Sequence, residues 1–96
     1  MYFSDKEFEN AYRRHLARVG MVLETVFDLN PKPVVDRISE YYGSLPGELR
    51  FDVLHDDPLD LAIGWGRLNC SPNDPLICEH YSKLEQSAEW NDRNPS

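Results

Sequence analysis

One helix signal near the start of the chain constrains everything that follows. Ser4 is a good N-cap and Glu7 stands three residues later. That is the spacing of a capping box, in which each side chain satisfies an orphan backbone N–H of the other. Phe3 before the cap and Phe8 beyond it have the spacing of a hydrophobic staple. Apolar residues then recur at Phe8, Tyr12, Leu16, Val19, Leu23 and Val26 in steps of four or three, the period of an amphipathic helix. A helix from Asp5 to Phe27 is about 34 Å long. Gly20 is its weak point, costing about 1 kcal/mol relative to Ala, and marks a bend or a close helix crossing.

The chain has 96 residues, which is one domain's worth. The reading is one compact domain over 1–90 and a polar tail over 91–96. Pro31-Lys32-Pro33 forms a rigid joint, with Pro33 suited to a first helical turn. Val34, Val35, Ile38, Tyr41 and Tyr42 make one apolar stripe on a short second helix, and Gly43 is placed to stop it. Leu49, Phe51 and Val53 alternate with polar residues, as do Leu59, Leu61, Ile63 and Trp65 with small or polar ones. With His55-Asp56-Asp57-Pro58 between them, the two runs read as a β-hairpin. Gly64-Trp65-Gly66 is poor helix material and favours that reading. Asp74 then caps, and Pro75 starts, a last helix with Ile77, Tyr81, Leu84 and Ala88 on its apolar side. The expected fold is therefore α+β: a long N-terminal helix, a short second helix, a β-hairpin and a C-terminal helix. A small all-α bundle, with 46–55 and 58–68 as short helices, is the alternative. The expected core is Phe8, Tyr12, Leu16, Val19, Leu23, Val26, Val34, Ile38, Tyr41, Leu49, Phe51, Val53, Leu61, Ile63, Ile77, Tyr81 and Leu84.

The net charge of −7 is unevenly spread. Residues 1–37 hold six acids and six bases, whereas residues 38–96 hold eleven acids and four bases, so the second half carries the whole imbalance. Direct binding to nucleic acid or to an anionic membrane needs the opposite sign. No basic-then-apolar leader opens the chain and no apolar run approaches the ~20 residues of a membrane span. The expectation is a cytoplasmic protein with reduced thiols.

Few residues have the spacing of a reactive site. Cys70, Cys78 and His80, with His55, include zinc-ligand types but lack the paired-cysteine spacing that holds two thiolates on one turn, so no metal or other cofactor is expected. His55 and Asp57, with Asp56 and Asp60 beside them, supply the groups of a metal-dependent hydrolase, yet aspartates in a turn also serve by bonding their own backbone. Arg13, Arg14 and Arg18 on the first helix offer cations to a small anion or nucleotide, best in an oligomer where several copies converge. No phosphate loop, dinucleotide fingerprint or nucleophile elbow is present, and the chain reads as a non-enzyme.

The reading that uses the charge best is a small acidic protein-binding module. It would act as an inhibitor or antagonist that occludes a basic surface of a larger protein, one that itself grips nucleic acid for example. Phage- or plasmid-borne anti-defence and immunity proteins share that size and acidity. Glu48, Asp52, Asp56, Asp57 and Asp60 would supply long-range attraction, with Trp65 and Trp90 as apolar anchors. Eleven aromatics in so short a chain also predict a homodimer that buries Tyr41, Tyr42 and Trp65.

Overall fold

A computed structural model describes residues 5–46 and 49–91, apart from the side chains of 5, 50 and 51. The elements are α1 (Asp5–Thr25), α2 (Lys32–Gly43), a 3-10 segment (Leu49–His55), α3 (Pro58–Gly66) and α4 (Pro75–Glu85). The described residues contain no strand, so the hairpin expected over 49–65 is replaced by the 3-10 segment and α3, and the all-α alternative describes the fold. None of the described helices is long and apolar enough to cross a membrane.

α1 is the spine. Val19, Val22 and Leu23 are wholly buried on it, and every other element packs against it, α3 most extensively. Its capping box and staple rest on Ser4 and Phe3, which lie outside the described residues. The helix ends at Thr25, two residues short of the expected Phe27, and Asp28 then takes a left-handed conformation with φ 54°. At the start of α2, the Asn30 side chain accepts a bond from Lys32 N at 3.2 Å, and an exposed Lys32–Asp36 pair closes at 3.0 Å. Gly43 is the last residue of α2 but has no positive φ, so it is not the expected left-handed stop.

The hairpin fails for a reason visible in α3. Pro58, Leu59, Leu61 and Ala62 are all buried, because α3 is wedged between α1 and α2. A helix covered on so many sides is apolar nearly all round, and its residues mimic the alternation of a strand. Its true period shows in what is exposed: Asp60, Gly64 and Arg67, spaced four and three apart. The helix closes with Arg67 left-handed (φ 54°, ψ 44°), and Arg67 N and Leu68 N return to Gly64 O and Ile63 O at 3.3 and 3.0 Å. That is a Schellman closure with arginine where glycine is usual.

Most of the expected core is buried or half-buried, with two corrections. Leu49 is 49% exposed while Val53 is fully buried. A 3-10 segment has three residues per turn, so positions four apart face about a third of a turn from each other. Tyr41 is 50% exposed and Tyr42 is inside, because the buried row of α2 follows Val34, Ile38 and Tyr42. Val22, Leu59, Ala62 and Trp90 join the core without having been expected there. The Phe51 side chain lies outside the described residues.

Candidate functional site

Two recesses flank the joint between the 3-10 segment and α3, and most of the expected binding residues border one or the other. The first, about 320 Å³, is lined by Asp56, Asp60, Leu61, Gly64 and Trp65. Asp60 and Gly64 face outward from successive turns of α3, and a Cβ built on Gly64 meets nothing within 4 Å. Trp65 leans on α2, its ring 5.4 Å from Tyr41 and 6.2 Å from Tyr42, while the two tyrosines meet edge-on at 5.0 Å. Burial holds the Tyr42 hydroxyl above its ordinary pKa, and the negative charge of Asp56 adds to the effect, with smaller contributions from Tyr41 and Asp52. Asp52, Asp56, Asp57 and Asp60 are all exposed. Among the described residues none of these four forms an ion pair with lysine or arginine. Glu48, assigned to the same face, lies outside the described residues.

The second recess, about 350 Å³, lies between α1, the start of α3 and the chain beyond α4, with His15, Arg18, His55, Asp57, Tyr81, Glu85 and Trp90 among its walls. His15 Nε2 is 2.8 Å from the Asp56 carbonyl. A carbonyl only accepts, so the proton sits on Nε2. Burial holds the His15 pKa below its ordinary value; the bond to Asp56 opposes this, Arg18 reinforces it, and the Asp56 and Asp57 carboxylates oppose it. Arg18 donates from Nε and Nη2 to Trp90 O at 3.2 and 3.0 Å, with its guanidinium 5.1 Å from the centroid of the same indole. Tyr81 meets Trp90 edge-on at 5.5 Å. Its hydroxyl is buried short of a well-formed hydrogen bond and held far above the usual tyrosine range, first by burial and then by the charges of Asp57 and Glu85.

These placements sort the candidates. Trp90 is only 7% exposed and already covered by Arg18, so it is a core residue and presents no anchor to a partner. Tyr42 is buried as well, which leaves Tyr41 and Trp65 as the aromatics of that surface. Arg13 and Arg18 do not share a recess: Arg18 is engaged with Trp90, and Arg13 lies on the rim of a different groove, with Leu16, Gly20, Pro31 and Val35, between α1 and α2. His55 and Asp57 border the same recess, yet no group of three or more His, Cys, Asp or Glu side chains is arranged to hold a metal ion among the described residues. Cys70 and Cys78 are free thiols, and Cys78 Sγ donates to Pro72 O at 3.2 Å. The sequence reading missed His15 and Tyr81 as members of the polar recess. A histidine on the same turn of α1 as Arg18 was the available signal, but the partner it finds is 41 residues away.

Compared with known proteins, the chain matches no family model, no curated protein and no solved structure.

Proposed function

We propose that the protein is an acidic binding module whose 52–65 face covers a basic surface on a larger protein and so blocks what that surface does. One observation carries the reading: Asp56, Asp60 and Trp65 line a single groove, beside the half-exposed ring of Tyr41. Four carboxylates within nine residues, unpaired with any described lysine or arginine, draw a cationic partner from a distance. The aromatic rings then supply apolar area at low conformational cost once contact is made. The charge-balanced first half, with α1 and α2, acts as the scaffold that holds this face rigid.

Capture from extracts of the cells that encode the protein tests the reading. Immobilised wild type should retain one larger basic protein at one-to-one stoichiometry, released by raised salt, and the Tyr41→Ala/Trp65→Ala variant should retain much less. Equal recovery by both proteins, or a partner that ignores salt, contradicts it.

A further inference from the structure

The groove bordered by Asp56, Asp60 and Trp65 has the chemistry to recognise one side chain in particular, and this inference rests on the binding reading above. We infer that it is a socket for a single arginine of the partner, with the guanidinium stacked on the Trp65 indole and forked onto the Asp60 and Asp56 carboxylates. Three features support that occupant. The groove is bordered by two exposed carboxylates and by no described cation, so its charge is complementary to a base. Its aromatic wall is an indole, the ring that holds cations best, and no cation sits over it among the described residues. Its floor is Gly64, whose missing side chain leaves the space open one helical turn beyond Asp60. A planar guanidinium can stack and donate forked bonds at the same time, whereas an ammonium acts as a compact, strongly hydrated point charge. The molecule uses the same pairing internally, where Arg18 lies 5.1 Å from the Trp90 centroid.

Nuclear magnetic resonance titration of the full chain with N-acetyl-arginine methylamide tests the socket directly. The Trp65 indole N–H and the Asp60 and Gly64 amides should shift saturably, and the Trp90 indole should not move. N-acetyl-lysine methylamide should bind several-fold more weakly. Asp60→Asn should weaken the arginine response at least several-fold. Gly64→Met fills the floor without changing charge, and methionine is a better helix former than the exposed glycine it replaces, so this variant should fold and lose the response. A shift that does not saturate, that is undiminished in Gly64→Met, or that is equal for lysine overturns the socket. If the arginine probe fails while partner capture still requires Tyr41 and Trp65, the face binds without a socket. If the probe binds as described and no partner is captured, the occlusion reading fails on its own.

Discussion

The recess around Trp90 and the groove around Trp65 share their ingredients, an indole ring with carboxylates nearby, and differ in what covers the ring. At Trp90 the chain supplies its own cation: Arg18 lies over the indole and bonds the backbone carbonyl of the same residue, and Tyr81 closes the side. At Trp65 the neighbours are two tyrosines, two carboxylates unpaired with any described lysine or arginine, and a glycine without a side chain. The first arrangement is complete within one chain and stabilises the fold. The second has a ring, charges and space, and no cation among the described residues. On the proposed reading, similar chemistry serves structure in one place and recognition in the other, according to whether a local base is present.

Truncating the two rings should break the comparison most visibly. Trp90→Ala should cost about 3–5 kcal/mol, the usual range for removing a buried tryptophan, and should leave little folded protein. Trp65→Ala should cost less, about 2 kcal/mol, since the ring is only partly buried where it packs against the core beside Tyr41 and Tyr42. Urea midpoints for the pair check the contrast, and equal losses would mean that Trp65 is a core residue too. Arg18→Ala should cost about 1–3 kcal/mol by removing two charge-assisted bonds and the cation over the ring. The Trp90 fluorescence should also become more accessible to a quencher, read in a Trp65→Phe background.

Smaller effects sharpen the picture of α3. Gly64→Ala should raise stability by about 1 kcal/mol, because the site is exposed, helical and unobstructed. A loss would mean that the glycine is needed for the fold and not for the space it leaves. The smallest effect is that of pH. The folded His15 ring takes up a proton less readily than the unfolded one, so acidification favours the unfolded chain. Stability should be full above the ordinary histidine pKa of 6.5 and decline as pH falls below it. His15→Gln should flatten that decline, as measured by thermal unfolding across the range.

How far the sequence could be read depended on where each element takes its partners from. α1, α2 and α4 were legible because their signals are local: the four-three period from Phe8 to Leu23, the proline joint at 31–33, and Asp74, whose Oδ1 accepts from Leu76 N at 2.9 Å. α3 was not, because its burial on several sides comes from α1 and α2 and thins the stripe that marks its period to Asp60, Gly64 and Arg67, of which one is a glycine. Gly64 and Gly66 added a propensity argument that tertiary packing overrode. For the candidate site, the turn aspartates and Trp65 were proposed from composition and charge, and the structure sets Asp56, Asp60 and Trp65 around one groove. The burial of Trp90 could not, since it depends on Arg18 reaching across 72 positions of sequence.

The central claim is that the location of negative charge on the 52–65 face, and not the net charge of −7, carries the binding. Two charge-matched variants test it against the captured partner. Asp56→Lys/Asp60→Lys reverses the groove, whereas Glu24→Lys/Glu89→Lys makes the same change in net charge at exposed sites elsewhere. Titration calorimetry should show affinity lost by at least a hundredfold, about 2.7 kcal/mol, in the first variant and changed only a few-fold in the second. Equal losses in both would show that the partner responds to overall charge alone, and would contradict the assignment of this face as the binding site.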